Sequence, residues 1–331
     1  MWTNFPLWPE RASTMAGNVD ALYIFLLLIC GLMTVLVSTA VIVFAVKYRK
    51  RLGHRAHQIE GSLGLEITWS VIPLFAFFTF FAWGAVIYFQ ERTPPRDSME
   101  VYTVAKQWMW KFEHPEGARE INALHVPTNR NVKVIMTSQD VIHSFFVPAF
   151  RIKQDVLPGR YTIAWFRATK PGTYHLFCAE YCGTQHSGMT GDVVVMEPAQ
   201  YEAWLAGGST GAPLPVTGQG LFNQLGCSTC HQIDGRGRGP SLAGVFGNKV
   251  SLEDGRSVTA DENYVRESII SPGTKIVVGY KPIMPTFQGL ISDDQLNALV
   301  AYVKSISQQQ PGQPAGSEAT AGTQTKSQQV H

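Results

Sequence analysis

The chain has 331 residues, with 27 lysine and arginine residues against 25 aspartate and glutamate residues, and only 16% of its residues are charged. Soluble domains average roughly 25% charged residues, so this composition indicates a membrane protein. The length predicts two or more domains, and a formal net charge of +2 gives no basic surface of the kind that a nucleic-acid-binding protein needs.

Two apolar segments within residues 1–95 predict a transmembrane helical hairpin. Residues 21–46 and 67–89 contain no charged side chain, and at about 1.5 Å per residue each segment can cross a hydrocarbon core of about 30 Å. A signal peptide is the alternative for the first segment, but no lysine or arginine precedes Arg11 and the apolar run is too long. The loop between the segments is basic, which places it in the cytoplasm and both termini outside. Before Glu66, its charged residues are Lys47, Arg49, Lys50, Arg51, Arg55 and Glu60.

One acid, Glu66, stands at the cytoplasmic mouth of the second span, in Leu65-Glu66-Ile67-Thr68-Trp69. Its position supports two interpretations. It is either a solvated residue in the first helical turn or the entry point of a proton path.

Residues 96–205 predict a small antiparallel β-barrel or sandwich. Alternating apolar and polar residues, β-branched side chains and intervening glycine, proline and asparagine signals mark the strands. The predicted strands are 101–112, 131–137, 161–167, 172–177 and 192–196.

The rest of the chain divides into a linker, a helical domain and a tail. Residues 206–217 are rich in Gly, Ser, Pro and Thr without a periodic apolar face, which is typical of a flexible linker. Residues 218–306 predict a small all-α domain with helices at 218–225, 261–271 and 292–306, the last begun by Ser292. Residues 307–331 contain almost no core-forming side chains, which predicts a disordered tail.

Four of the five cysteines form two close pairs, while Cys30 stands alone in the first span. The first pair lies in Phe-Cys-Ala-Glu-Tyr-Cys-Gly-Thr-Gln-His-Ser-Gly-Met, residues 177–189. Two thiols, an imidazole and a thioether so close together favour a soft metal, with copper as the natural occupant. The alternative is a disulfide with a bystander histidine. A further imidazole, His143, lies upstream in Asp-Val-Ile-His-Ser-Phe-Phe-Val-Pro, residues 140–148.

This pattern, together with the two-span hairpin, resembles the CuA domain of cytochrome c oxidase subunit II over residues 15–205. The resemblance implies a cupredoxin-like β-barrel and a binuclear copper centre, CuA, in which both thiolates bridge two copper ions. In that family each copper carries one histidine, and a thioether and a main-chain carbonyl complete the set. Carried over, the ligands are Cys178, Cys182, His143, His186, Met189 and the carbonyl oxygen of Glu180.

The resemblance also gives roles to residues around the copper site. It implies that the Glu180 side chain reaches toward a magnesium ion at the interface with subunit I, the alternative being an ordinary loop acid. Trp108 matches the family's exposed aromatic for electron entry, against the alternative of a barrel-core side chain, and Glu66 matches the mouth of a proton path. His125 and His175 match no ligand position and are expected to be structural.

The second cysteine pair forms Cys227-Ser228-Thr229-Cys230-His231, the attachment signature of c-type haem, in which both thiols form thioethers and the histidine is an axial ligand. A zinc site needs two further ligands, and only His331 offers a nitrogen downstream. Met284 is the sixth ligand by exclusion, because no other methionine follows Met196. Residues 217–306 resemble a class I cytochrome c, which implies that the Pro240 carbonyl orients the haem-ligating histidine.

Together these features resemble subunit II of a caa-type haem-copper oxidase, in the plasma membrane of a prokaryote. The resemblance implies electron flow from an external cytochrome or other respiratory donor to haem c, then to CuA, then to catalytic subunit I, with subunit III as a further partner. Oxygen reduction to water, coupled to proton translocation, belongs to the partner because neither span contains a histidine.

Three other functions are alternatives to this one. A nitrous oxide reductase needs more histidines than the nine present. A membrane-anchored copper chaperone needs neither the full ligand loop nor a covalent haem. A membrane-tethered electron shuttle without a catalytic partner is not excluded by the sequence alone, and co-purification separates it from an oxidase subunit.

Overall fold

The computed structural model describes residues 8–53, 60–208, 211–232 and 234–308. The chain divides into two compact units between Leu214 and Pro215. The first unit contains the apolar hairpin and the β domain, and the second contains the haem-signature cysteines.

The two apolar segments form helices α1 (Ala16–Lys47) and α2 (Leu63–Arg92), which contain both predicted spans. Both helices are long and apolar enough to cross a membrane. Their outer faces are exposed apolar side chains, while between them Phe25 packs against Phe80 with ring centroids 5.4 Å apart. Part of the basic loop, including Arg55, lies outside the described residues.

The β domain is a sandwich of two mixed five-stranded sheets in the described part of the chain. One sheet has the order β3-β2-β1-β5-β8 and the other β4-β10-β9-β6-β7. The strands are β1 Met99–Lys106, β2 Met109–Glu113, β3 Arg119–Ile121, β4 Ala123–Pro127, β5 Asn131–Ser138, β6 His143–Val147, β7 Ile152–Val156, β8 Thr162–Arg167, β9 Gly172–Cys178 and β10 Thr190–Met196.

The cupredoxin-like fold class is confirmed, with two differences from the sequence expectation. The single strand expected at residues 101–112 is two antiparallel strands, because the chain turns at Gln107 and Trp108. Most strand pairs are antiparallel as expected, but β1 pairs with β5, and β4 with β10, in parallel. Short-range residue patterns do not encode strand order, so these crossovers were not predictable.

Alternation along β9 aims its side chains and thereby places a cysteine. Tyr174, Leu176 and Cys178 point into the sandwich, while His175 and Phe177 point outward. The core they enter is dominated by aromatic and branched apolar residues. Cys178 therefore sits at the end of a strand, on the buried side.

The β domain ends in a helix, α3 (Pro198–Gly208), that occupies the first residues of the expected linker. The next helix, α4 (Leu214–Gln224), begins before the expected linker ends. Leu214 donates a backbone hydrogen bond of 3.0 Å to the Pro115 carbonyl. Gly117, at φ +102°, lies so close that an added Cβ would be 2.4 Å from the Gly211 oxygen. Hence part of the predicted flexible segment is helical or lies against the β2–β3 turn.

The second unit contains α4 from Pro215 onward, α5 (Glu262–Ile270) and α6 (Asp293–Gln308), close to the predicted helices. Ser292 begins α6 as predicted: its hydroxyl accepts from Gln295 N at 3.2 Å, and Gln295 Oε1 accepts from Ser292 N at 2.9 Å, a reciprocal capping box. The domain also has a short hairpin of β11 (Lys249–Ser251) and β12 (Ser257–Thr259), so it is not purely helical. The expected disordered tail lies outside the described residues from residue 309 onward.

Candidate metal centre and haem crevice

Three backbone segments bring the copper-loop residues together. Strand β9 ends at Cys178, whose N–H donates to the Met189 carbonyl at 3.2 Å, so the loop closes on itself. Strand β6 lies beside β9, with Phe145 opposite Cys178, and it begins at His143. Ala179 N donates to the Ser144 carbonyl at 3.0 Å. The upstream histidine therefore reaches the loop because neighbouring strands carry both.

The donor atoms of five side chains converge in one cluster. The two sulfurs of Cys178 and Cys182 lie 3.7 Å apart, and both residues are free thiols. His143 Nδ1 is 3.9 Å from the first sulfur, and His186 Nδ1 is 3.5 Å from the second. Met189 Sδ is 3.8 Å from the Cys182 sulfur. Each thiol thus has one imidazole beside it, and the thioether lies on the Cys182 side.

A main-chain oxygen completes the cluster. The Glu180 carbonyl lies 3.2 Å from Cys178 Sγ, while the Glu180 side chain points into solvent. His143 and Met189 are fully buried and both cysteines nearly so. His186 is half-buried beside the exposed ring of Tyr181. The cluster is therefore shielded from water, with one edge near the surface.

The electrostatics favour one thiolate beside one thiol. Burial raises the pKa of the Cys178 thiol, but hydrogen bonds from His143 and from the backbone overcome this and lower the pKa to about 6. Burial and the neighbouring Cys178 charge raise the pKa of Cys182 to about 12. A cation between the sulfurs relieves this repulsion, because thiolates are the form that ligates metals. The donor set of sulfur and imidazole fits copper.

Asp140, which no sequence motif singled out, lies behind His143. Its Oδ1 is 2.8 Å from His143 Nε2, and its Oδ2 accepts a hydrogen bond of 2.8 Å from Gln107 N. The carboxylate therefore fixes the ring so that Nδ1 faces the sulfurs. An acid three residues before a candidate histidine was the available signal.

Trp108 lies at the copper loop, in the turn between β1 and β2. Its Nε1 donates a hydrogen bond of 3.3 Å to the Cys182 carbonyl, which also accepts 2.8 Å from Gln107 Nε2. Trp108 is half-buried, whereas Trp110 is fully buried in the core. The indole of Trp108 thus touches the backbone of a predicted copper ligand and has an exposed part.

The remaining candidate residues lie away from this cluster. Glu66 is exposed in the first turn of α2. His175 is exposed beside Asp192, at 3.1 Å. His125 forms a hydrogen bond with Glu120 and stacks on Trp204, with centroids 4.6 Å apart.

Glu120 is the centre of that second histidine cluster. His114 Nε2 lies 2.9 Å from its other oxygen, and the Tyr201 hydroxyl of α3 is 3.2 Å from His114 Nδ1. The cluster joins α3 to the β domain through groups that the sequence analysis did not combine.

The second unit has a cavity of about 800 Å³ at the haem signature. Cys227, Cys230 and His231 line it, together with Met284. The remaining wall is mainly apolar, including Phe222, Leu225, Leu242, Val245, Ile269, Phe287, Leu299 and Val303. This volume lies within the range of about 300–1,000 Å³ of cofactor pockets. Size, lining and the four predicted haem residues together fit a covalently attached haem.

A hydrogen bond to the backbone fixes the orientation of the His231 ring. Its Nδ1 lies 2.8 Å from the Pro240 carbonyl oxygen, so Nδ1 carries the proton and Nε2 remains available to a metal. Gly239 lies against the same ring, and an added Cβ there would be 2.9 Å from His231 Cε1. The role of this glycine depends on its contact with the histidine ring and was not predictable from the sequence, unlike that of the proline beside it.

Comparison with known proteins gives two family matches. Residues 118–197 match the family model described as cytochrome c oxidase subunit II, periplasmic domain, and residues 215–307 match cytochrome c. The alternative cytochrome c oxidase subunit 2 of Bradyrhizobium diazoefficiens is 31% identical over 235 residues, covering 60% of this chain and 83% of that protein.

Two further relatives carry the name cytochrome c oxidase subunit 2. The protein from Alkalihalophilus pseudofirmus is 28% identical over 296 residues, covering 85% of this chain and 84% of the relative. The protein from Thermostichus vulcanus is 29% identical over 265 residues, covering 63% and 81%.

Proposed function

The chain belongs to the cytochrome c oxidase subunit II family and carries a cytochrome c domain, and from this premise we propose that it is the electron-entry subunit of a caa-type oxidase. As a member of that family it is a component of an oxidoreductase. In the proposed role it accepts electrons from an external respiratory donor at haem c, passes them to CuA and delivers them to the catalytic subunit. That subunit reduces oxygen to water with coupled proton translocation.

The observation that carries this proposal is the convergence of sulfur, nitrogen and carbonyl donors in one buried cluster. Three of these residues, His143, Cys178 and Cys182, have donor atoms that all lie within 4.8 Å of one another. The proposed CuA ligands are His143, Cys178, Cys182, His186, Met189 and the Glu180 carbonyl. When bound, the two copper ions and the haem supply one-electron oxidation and reduction.

The protein contributes rigidity to this copper site. Its ligands are held at the end of β9, at the start of β6 and in a loop whose ends are hydrogen-bonded together. Asp140 orients one imidazole from behind. A site so constrained rearranges little when its charge changes, which suits electron transfer.

In the second unit, Cys227 and Cys230 are proposed to form the thioethers, with His231 and Met284 as axial ligands. The Pro240 carbonyl supports this assignment, because it leaves His231 Nε2 facing away from its hydrogen-bond partner. A histidine and methionine pair raises the haem potential, as terminal respiratory electron transfer requires.

We propose roles for three further residues in electron entry, magnesium binding and proton entry. Trp108 is the electron entry to CuA, supported by its hydrogen bond to the Cys182 carbonyl. The exposed Glu180 side chain is available for a magnesium ion at the interface with subunit I. Glu66, exposed at the start of α2, is available as a proton entry.

The membrane arrangement is proposed from the same hairpin. Helices α1 and α2 span the plasma membrane of a prokaryote, and both redox domains lie on the outer side, as the basic loop requires. The partners are subunit I, subunit III and a cytochrome or other respiratory donor.

Purification of the tagged full chain from its native membrane tests this function. Co-purification with a haem-copper subunit, and oxygen consumption that the chain's removal abolishes, are the expected results. A chain that binds copper and haem but purifies without such a subunit is an electron shuttle. A chain that holds a single transferable copper is a chaperone.

A further inference from the structure

The segment before α1 is built into the β domain. Ala12 N donates to the Ala149 carbonyl at 3.0 Å, and Thr169 N donates to the Ala12 carbonyl at 2.9 Å. Thr14 N donates to the Arg167 carbonyl at 3.1 Å. Ala12 is fully buried within the domain's core. The start of the first membrane helix is therefore tied to the outer domain before the helix begins.

A buried ion pair reinforces this tie. Arg151 Nε donates to Asp20 Oδ1 at 2.7 Å and Arg151 Nη2 to Asp20 Oδ2 at 3.0 Å, a two-pronged contact. The Asp20 side chain is 1% exposed and the Arg151 side chain 10%. Such fork-shaped contacts fix geometry as well as charge.

The other N–H groups of Arg151 donate to backbone carbonyls of the β domain and of the segment before α1. Nη1 donates to Pro148 O at 2.6 Å and to Glu10 O at 3.1 Å, while Nη2 donates to Pro9 O at 2.8 Å. A guanidinium has five N–H donors. All five are used, between the β domain and the segment that enters the membrane helix.

Asp20 also accepts hydrogen bonds from two residues that precede α1. Trp8 Nε1 donates to its Oδ2 at 3.0 Å and Arg11 Nε at 2.7 Å. Within α1, every residue of which the structure describes, only Ala16 and Asp20 are buried. The contacts that bury α1 therefore lie at its N-terminal end.

The same ion pair lies on the hairpin that carries a copper-site histidine. Arg151 immediately precedes β7, which pairs with β6 from Val147 opposite Ile152 to His143 opposite Val156. At about 3.4 Å per residue, the hairpin places His143 roughly 14 Å along the strand from Val147. The hydrogen-bonded pair of β6 and β7 therefore connects Arg151 with the copper-site histidine.

We propose that Arg151 and Asp20 form a positioning lock that fixes the β domain on the first membrane helix. The lock thereby sets the position of the copper-binding loop relative to the membrane-embedded partner. This inference rests on the proposed electron route from the copper site to that partner. Electron transfer slows steeply as the distance between redox centres grows. Arg151 and Asp20 are therefore positioning residues, which affect the transfer rate by setting that distance.

The second attachment of the domain is at the end of α2, which lies beside β8. At the end of α2, Trp165 Nε1 donates to the Gln90 carbonyl at 2.9 Å in an exposed contact. This contact is exposed, whereas the Arg151–Asp20 ion pair is buried, so the positioning role is assigned to the contact at α1.

The test uses the full chain in its oxidase complex with Arg151→Gln, Asp20→Asn and the double variant. Lys170→Gln is the matched control, because it removes an exposed ion pair with Glu10, at 2.9 Å, that joins the same two parts of the chain. The copper EPR spectrum and the rate of electron delivery from the copper site, followed after a light-triggered electron pulse, are both recorded. Each single variant is expected to slow delivery at least tenfold with an unchanged copper spectrum. The double variant is expected to be no slower than the slower single variant, and the control to equal wild type.

An unchanged delivery rate in a copper-loaded Arg151→Gln or Asp20→Asn complex overturns the lock, as does a double variant whose slowing is the product of the single effects. Hydrogen exchange of the peptide covering residues 8–20 gives a readout that needs no copper, and both single variants are expected to accelerate it. A wild-type chain without the copper spectrum contradicts the proposed function, whereas unaccelerated exchange contradicts the lock alone. If Arg151→Gln does not accumulate, Arg151→Lys keeps the charge without the fork; wild-type delivery and exchange in that variant also overturn the lock.

Discussion

Asp140 Oδ1 lies 2.8 Å from His143 Nε2, so an acidic side chain holds the buried imidazole whose Nδ1 faces the sulfur of Cys178. The same carboxylate accepts a hydrogen bond from Gln107 N, beside Trp108. One residue therefore links a proposed copper ligand to the proposed electron entry.

Replacement of Asp140 is expected to weaken the copper site without unfolding the β domain. Asp140→Asn removes the negative partner of His143, and such changes typically cost about 10–100-fold in metal affinity. Copper titration of the full chain measures the change. Asp155→Asn is the control, since its carboxylate bonds Ser144 on the neighbouring strand and not a ligand imidazole. Equal copper affinity in Asp140→Asn and wild type would show that His143 needs no such support.

Cys182→Ser is expected to abolish the binuclear copper spectrum while leaving the haem spectrum intact. The hydroxyl is a poor bridge for soft copper, and Cys182 is the thiol that lies near both His186 and Met189. Cys30→Ser is the matched control, because Cys30 is an exposed residue of α1. Optical and EPR spectra of both variants decide the point, and a persistent binuclear signal in Cys182→Ser rules out the ligand assignment.

Met284→Ala is expected to lower the haem reduction potential by at least about 100 mV, because axial ligands set haem potentials over a range of about 0.8 V. Redox titration of the full chain measures it. Leu290→Ala serves as the control, since Leu290 is exposed and is not one of the residues that line the cavity. A potential that does not move in Met284→Ala means that another group is the sixth ligand.

The Glu120 cluster is expected to give the β domain an acid-sensitive stability. Burial raises the pKa of Glu120, but hydrogen bonds with His114 and His125 overcome this and hold the pKa below its ordinary value of 4.5. Because the folded pKa is the lower one, the stabilisation is fully present above pH 4.5 and is lost as the pH falls through the folded value.

Glu120→Gln is therefore expected to lower the free energy of unfolding by about 2 kcal/mol at neutral pH and to flatten its decline in acid. Denaturant titrations of the full chain at several pH values test this. Glu202→Gln, an exposed position on α3, is the control. If the free energy of unfolding of Glu120→Gln falls in acid as steeply as that of wild type, another group causes the acid sensitivity.

The sequence predicted features that depend on local spacing and missed those that depend on distant contacts. The loop at residues 177–189 and the signature at residues 227–231 are local, so their residues were found directly. Asp140 and Gly239 were missed because their roles depend on the turn of the backbone behind a histidine. The parallel pairing of β1 with β5 depends on chain topology, and the seating of Leu214 depends on Pro115, far away in sequence.

The most direct test of the two-centre electron route is the metal content and EPR spectrum of the full chain after haem maturation and copper loading. The account predicts two copper ions, a hyperfine pattern delocalised over both copper nuclei, and one covalent haem per chain. A single localised copper signal, or a haem without copper, would contradict it.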